Sequence, residues 1–367
     1  VQALLQKKGK EWGVNPGWEK WLLDMAGLST IADMVPLQDE NRVLAHYGLK
    51  VLRKSPRLGL LELLRVARSN QNFLSEDDIA FTLAPRINAA SRMDEPIQAF
   101  NLLSTTDPRE AATLATHLDS LNNSRKGLVG SMVKEAKRHV ESRELREVIV
   151  TGSPSWKPGI LGLVAGALVE EYDRPAFVWG REESEYLKGS CRSDGSINVV
   201  ELMTSLPEDF FLNVGGHELS GGFSISHEKI HLLEDELIRV LKTLPQKEAV
   251  ESRIPVDSIL PLDHVNETTF ASVDILSPFG IGNPKPAFLF EHISVFEVKK
   301  FGKEKNHLEL VFKNSQGKTI SAISFFVEPE IFEKIKKDDS ISFVGSLEKS
   351  FFKRTPEIRI RIVELFV

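Results

Sequence analysis

The sequence has a single cysteine, Cys191, in 367 residues. No disulfide can form within the chain, which fits a reducing compartment. No apolar run approaches the ~20 residues that a membrane-crossing helix needs, and no signal peptide opens the chain. Positive charge is not in excess: 46 Lys and Arg stand against 52 Asp and Glu, a net charge of −6. A uniformly basic nucleic-acid coat is therefore excluded, and any nucleic-acid site must be a local patch. Internal repeats and low-complexity tracts are also missing. What is present is ordinary globular composition, 41% hydrophobic and 27% charged, which excludes a disordered, collagen-like or disulfide-built protein. The length suits two or three domains. The chain opens at Val1 without an initiator Met and reads as a fragment or processed chain.

Hydrophobic periodicity divides the sequence. Residues 1–50 read as helix, loop, short strand and helix. Trp12, Trp18 and Trp21 cluster there, as core or as a surface packed against a missing N-terminal partner. Residues 40–105 are mostly helical, with apolar spacings of three and four through Leu58–Ala67 and a polar break at Ala84–Arg92. A long helix starts near Asp107, a good N-cap, with Pro108 at the first position and Glu110 placed to close a capping box. Its apolar stripe is Leu114, Leu118, Leu121, Leu128 and Met132, and it runs to about Ser142. From Glu147 strands alternate with helices: Val148–Thr151, Ala176–Trp179 and a strand ending at Gly189–Ser193, with helices at Ile160–Glu171 and from Val199. That alternation indicates an α/β layer domain. Thr243–Glu251 suits a linker, and Asp263-His264 lies in the approach to the next domain. Beyond Ile254, five runs alternate in polarity: Ile293–Val298, His307–Phe312, Thr319–Phe326, Ser340–Val344 and Glu357–Val363. With a helix near Glu328–Lys337 they suggest a small closed barrel of the OB type, a simple sandwich being the alternative.

Several residues could carry chemistry. Gly215-Gly216-His217, followed by Gly221-Gly222, lets backbone N–H groups approach an anion closely. Arg192-Ser193 lies upstream in the same layer and offers planar, charge-assisted contacts to phosphate. Together they propose a phosphate or phosphodiester site; the alternative is a surface turn beside a solvated Arg. Lys157 precedes a helix N-terminus, where anions bind, or marks a structural strand-to-helix turn. Asp33, before Pro36, is a cap or loop residue, or a metal ligand if other carboxylates or His join it. On the barrel, Lys299, Lys300, Lys303, Lys353 and Arg354 interleave with Phe301, Phe351 and Phe352. That mixture holds single strands by phosphate contact and base stacking, or else is solvated turns over core phenylalanines.

In order along the chain, these segments resemble the RecJ single-strand-specific DNA exonucleases of the DHH phosphoesterase superfamily. Thr30–Leu37 is similar to the last metal-ligand motif of the DHH catalytic domain. Ala84–Arg92 resembles the family's Pro-Arg-Ile-Asn-Ala-Ala motif, and Leu121-Asn122 fits its connecting helix. Trp156–Gly166 resembles the opening of the DHH-associated domain, Gly189–Ser193 and Gly215–Gly222 its substrate loops, and Pro278–Pro284 the entry to its OB domain. The family's Trp-His-Pro-Gly turn reads Trp156-Lys157-Pro158-Gly159 here, and the Ala-Ala after its Gly-Gly-His reads Ser220-Gly221. The aspartate-rich first motifs and the Asp-His-His motif are absent and are expected upstream of Val1.

The resemblance implies a multidomain α/β plus β fold. Residues 1–105 would be the C-terminal part of a DHH domain with a helical extension, and 106–144 a long connecting helix. Residues 145–246 would be the DHH-associated α/β domain and 252–367 an OB-type β-barrel. It implies a 5′-to-3′ single-stranded-DNA exonuclease of DNA repair and recombination, using two Mn²⁺ or Mg²⁺ ions. Asp33 would be a catalytic metal ligand. Arg86 and Asn88 would line the strand path, and Arg192, Ser193, Gly215, Gly216 and His217 would hold the terminal phosphate. Lys157 would stand at the helix N-terminus. The barrel lysines with Arg354 would grip the trailing strand. With one expected ligand, this chain would be inactive alone. Single-stranded DNA is the implied partner, with a single-strand-binding protein or a helicase, in a cytoplasmic monomer. The alternatives are a non-catalytic single-strand-binding module and a DHH-type oligonucleotide phosphodiesterase, which would need no strand clamp.

Overall fold

Asp107 caps the longest helix of the computed structural model, Pro108–Glu141, its carboxylate accepting the Arg109 N–H at 2.8 Å. The model describes residues 1–181, 185–245, 254–351 and 355–366. Contacts gather the chain into two units: Pro56–Gln71 with Phe81–Ser252, and Val1–Ser55 with Asn72–Ala80 and Arg253–Val367.

In the first unit the long helix packs on helices Leu58–Ala67 and Ala84–Met93. Its buried face is built from Ala111, Ala115, Leu118, Asn122, Met132, Ala136 and Val140, the three alanines allowing close approach. Leu128, expected in that stripe, is 39% exposed. Glu110 makes no capping box: its carboxylate takes the Thr105 hydroxyl instead. Ala84–Arg92 is a helix rather than a break, because Pro85 falls in the first turn, where its missing N–H has no helical partner to lose.

The same unit carries a five-stranded sheet of β1 (Ile149–Ser153), β2 (Ala176–Gly180), β3 (Leu187–Arg192), β4 (Asn213–His217) and β5 (Ser220–Ile225), in the order β1-β2-β3-β5-β4. Only the β1–β2 pair is parallel, joined across helix Leu161–Tyr172. That helix buries Val164, Ala165 and Leu168 with Ile149, Ala176 and Val178 on one face. Helices Val199–Thr204 and Leu233–Leu241 cover Phe177, Cys191 and Phe223 on the other. The glycines at 215–222, read as turns or loops, are two paired strands.

In the second unit, helices Leu23–Ala32 and Asp39–Leu52 pack together. Residues 1–50 contain no strand, and the chain leaves the first of these helices at Asp33, followed by Met34 at φ 54°. Trp12, Trp18 and Trp21 are 58%, 48% and 46% exposed, so they are not core. After β6 (Ser258–Ile259) come β7 (Phe288–Phe301), β8 (His307–Lys313), β9 (Thr319–Ser324), β10 (Ser340–Ser350) and β11 (Glu357–Phe366). β7-β8-β9-β11-β10 close back onto β7, with β9–β11 parallel, giving a five-stranded barrel. Its five runs and the inserted helix, Pro329–Lys334, follow the expected alternation. Phe290, Phe343 and Phe312 fill the interior as a stack with ring centroids 4.9 and 5.3 Å apart, each fully buried ring contributing about 2–3 kcal/mol. Asp263 and His264 belong to a one-turn 3₁₀ helix, and Asp263 accepts the Ser315 N–H and hydroxyl. Most of the expected linker, 246–253, lies outside the described residues. No described helix is long and apolar enough to cross a membrane.

Candidate functional site

Strand alternation organises the α/β unit's site. On β3, Leu187 and Cys191 point into the core, so Lys188, Ser190 and Arg192 share the opposite face. Ser190 pairs with Gly222 of β5, which pairs with Gly215 of β4. Lys188, Ser190, Gly215 and Gly222, with Pro158 and Leu161 at the start of the crossing helix, line a cavity of about 410 Å³. Arg192 donates to the Cys191 carbonyl at 2.8 Å and to the Ser190 hydroxyl at 3.4 Å. The crossing helix comes close here because residue 162 is Gly: a Cβ would stand 2.8 Å from Arg192 Nη2 and 3.0 Å from Ser190 Oγ.

The charge arrangement around Arg192 is unusual. Burial lowers the pKa of its guanidinium; Cys191 opposes that shift, and the nearby Arg92 charge adds a smaller lowering. Burial also lowers Arg125, and Arg92 again adds to the shift. Among the described residues none of these three arginines has a carboxylate partner. Asn122 Nδ2 and Arg125 Nε are buried without an acceptor. Clustered cations and orphaned donors call for one thing, an anion with several acceptor oxygens.

The expected residues fall into two groups. Gly215 lines the cavity, Arg192 reaches its lining residue Ser190, and Lys157, exposed, immediately precedes Pro158 at the rim. Gly215, Gly216 and His217 are exposed on β4, the edge strand, where half of the backbone groups face outward. Gly216 sits at φ 143°, and a Cβ there would strike the Ser220 carbonyl. The other group has local partners. Arg86 is held by Asp119 and the Thr82 carbonyl, each at 2.8 Å. Ser193 gives its hydroxyl to the Ile197 carbonyl at 2.6 Å, closing its own turn. Asn88 is exposed, and its carbonyl accepts the Ser91 hydroxyl. Sequence reasoning missed Ser190, Arg92, Arg125 and Asn122. Period-two spacing from Arg192 points to Ser190, and helical i,i+4 and i,i+3 spacings link Arg92 to Asn88 and Arg125 to Asn122.

In the barrel unit, Asp33 is exposed at the end of its helix, its N–H on the Ser29 carbonyl at 2.9 Å. No group of three or more His, Cys, Asp or Glu able to hold a metal occurs among the described residues. Asp33 by itself does not fit a divalent cation, which takes several oxygen ligands. Lys299 pairs with Glu297 at 2.9 Å, a hydrogen bond that raises its pKa. Lys300 lies over the Phe332 ring, 4.4 Å from its centroid. Lys303 is exposed in the β7–β8 turn, and Lys353 and Arg354 lie outside the described residues. Phe351 stacks on Phe73 at 4.5 Å, both rings about half exposed.

A mixed α/β layer with a cavity on one face, followed by a closed five-stranded barrel, defines a DHHA1–OB chain: the DHHA1 domain model matches residues 146–243 and the RecJ OB domain model residues 256–364. The single-stranded-DNA-specific exonuclease RecJ of Bacillus subtilis is 34% identical over 345 residues, 93% of this chain and 43% of that protein. RecJ of Escherichia coli is 28% identical over 321 residues, 85% of this chain and 55% of that protein. The crystal structure of Thermus thermophilus RecJ with Mn²⁺ superposes with a TM-score of 0.79 at 26% identity, covering 98% of this chain and 51% of that one. The chain belongs to the RecJ family. It spans about half the length of the curated relatives it matches.

Proposed function

We propose that this chain is the strand-holding part of a metal-dependent exonuclease that digests single-stranded DNA from its 5′ end. The observation that carries this reading is the Arg92–Arg125–Arg192 cluster, with its orphaned donors and without carboxylates. The α/β unit, within 145–246, binds the terminal phosphate. Arg192 and Ser190 orient its oxygens, and the open edge at Gly215–His217 admits the nucleotide. Arg86 and Asn88 lie on the helix that also carries Arg92. The barrel, within 252–367, holds the trailing strand by stacking and phosphate contact. Mn²⁺ or Mg²⁺ is the proposed cofactor of the whole enzyme, with Asp33 as one ligand. Because the described residues offer no ligand set that completes its coordination, residues 1–367 bind and position DNA without cleaving it alone. The proposed setting is DNA repair and recombination in the cytoplasm, as a monomer working beside a helicase or single-strand-binding protein.

The test pairs binding with digestion. Residues 1–367 should bind a 5′-phosphorylated single strand about tenfold more tightly than its 5′-hydroxyl counterpart, and a protein extended to the length of its RecJ relatives should release nucleotides from it with Mn²⁺. Asp33→Ala in the extended protein should abolish release and leave binding by residues 1–367 unchanged. Full activity of that variant removes Asp33 from the site. The lack of a ligand set favours one second reading, a non-catalytic single-strand-binding module. Tight binding without digestion by the extended protein would establish it.

A further inference from the structure

We infer that Phe326 is a base-stacking platform on the barrel and that His307 is the residue that positions it, an inference that rests on the barrel being a single-strand grip. Phe326 directly follows Phe325 at the end of β9. It is 78% exposed, among the most exposed large apolar side chains of the chain. Its backbone is at φ 55°, the left-handed region that a bulky L-residue rarely enters. A hydrophobic ring held outward by a strained backbone is not explained by packing, since nothing is gained by burying it.

The strain is held in place by specific bonds. The Phe326 N–H donates to His307 Nδ1 at 3.2 Å, and the Val327 N–H donates to the Asn306 carbonyl at 2.8 Å. Accepting at Nδ1 puts the proton of the neutral ring on Nε2. His307 meets Phe326 edge-on, with centroids 4.8 Å apart, and also meets Phe325 and Phe301 at 5.0 and 5.2 Å. Its ring lies against Gly302, where a Cβ would stand 2.6 Å from Cδ2. Arg361 covers Phe325 at 3.9 Å, and among the described residues it has no carboxylate partner. The loop between β7 and β8 exposes Lys303 and Lys305 on either side of Glu304. An open π-face, a stacked guanidinium and lysines on the adjoining loop match the chemistry of an unpaired nucleotide: a base to stack and a phosphate to neutralise. Sequence-tolerant stacking of this kind suits an enzyme that must pass any base along the strand.

The experiment measures binding of a fluorescent oligothymidylate to residues 1–367 by anisotropy at two salt concentrations, with the melting temperature of each variant. Phe326→Ala should weaken binding about tenfold and leave the salt dependence unchanged, because no phosphate contact is lost. Phe326→Trp should keep the affinity. Phe326→Gly should bind as poorly as the Ala variant yet melt at a higher temperature, since Gly adopts this backbone without strain. His307→Ala should weaken binding about threefold with the salt dependence intact. If the wild type binds in a salt-dependent way and Phe326→Ala binds equally well, the platform is refuted and the barrel reading stands. If the wild type does not bind, both fall. A Phe326→Gly variant that melts lower than wild type would make the ring a structural element and overturn the inference.

Discussion

Both units bury charge, and they treat it in opposite ways. In the barrel unit the buried acids are satisfied from within. Asp24 accepts the Ser55 hydroxyl and the Met25 N–H, each at 2.7 Å. Glu76 has backbone donors and the nearby Lys285 charge to offset its burial. In the α/β unit the Arg92 charge acts on both Arg125 and Arg192 with no acid paired to any of the three among the described residues, and two buried donors have no acceptor. The first arrangement stabilises a fold; the second carries a cost that the proposed phosphate would remove. Buried polar groups thus separate structure from function more clearly here than the motifs do.

The largest expected effect breaks the contrast on the α/β side. Arg192→Ala should reduce affinity for a 5′-phosphorylated strand about hundredfold, in line with the loss of a buried charged hydrogen bond. Binding of a 5′-hydroxyl strand should stay unchanged. Equal losses on both strands, measured by titration, would place Arg192 outside the phosphate site. Next is Asp24→Ala, which removes the carboxylate that accepts the buried Ser55 hydroxyl and the Met25 N–H and should lower unfolding free energy by about 2 kcal/mol in urea titrations. Arg192→Leu, by contrast, should cost no stability, since it relieves a like-charge cluster. The smallest effect concerns Glu76. Burial raises its pKa, so the folded state holds its proton more tightly than the unfolded chain. Stability attributable to this group is full below the ordinary carboxylate range and declines as pH rises through the raised value. Glu76→Gln should flatten that decline, which melting curves between pH 4 and pH 8 would reveal. An unaltered slope would assign the dependence to other groups.

Much of the fold could be read directly because it follows local rules. The barrel strands alternate in polarity, and Asp107-Pro108 announces the long helix with a side-chain cap and a preset φ. The β4–β5 hairpin was hidden because its glycines read as turns. They are strand residues there, and Gly216 sits where a side chain would meet the neighbouring backbone. Ala84–Arg92 reads as a break because it is rich in polar residues, yet Pro85 falls in the first helical turn, which tolerates it. Of the site, Arg192 and Gly215 were legible from residue type. Ser190, Arg92 and Arg125 were not, since only tertiary packing brings Ser190 and Arg92 near the Arg192 guanidinium and Arg92 near Arg125. Ser193 illustrates the converse: its neighbour Arg192 suggested an anion, yet its hydroxyl closes a turn.

The way the chain is divided also sets an order of events during synthesis. Nearly all of the α/β unit is encoded between two pieces of the other unit, Val1–Ser55 and Arg253–Val367. A ribosome adding about 5–20 residues per second completes the arginine-bearing unit first. Helices Leu23–Ala32 and Asp39–Leu52 must meanwhile wait for the barrel segment of their unit, and β11, needed to close the barrel, is translated after the other barrel strands. The arginine-bearing unit is thus complete while the unit encoded on both sides of it is still being made.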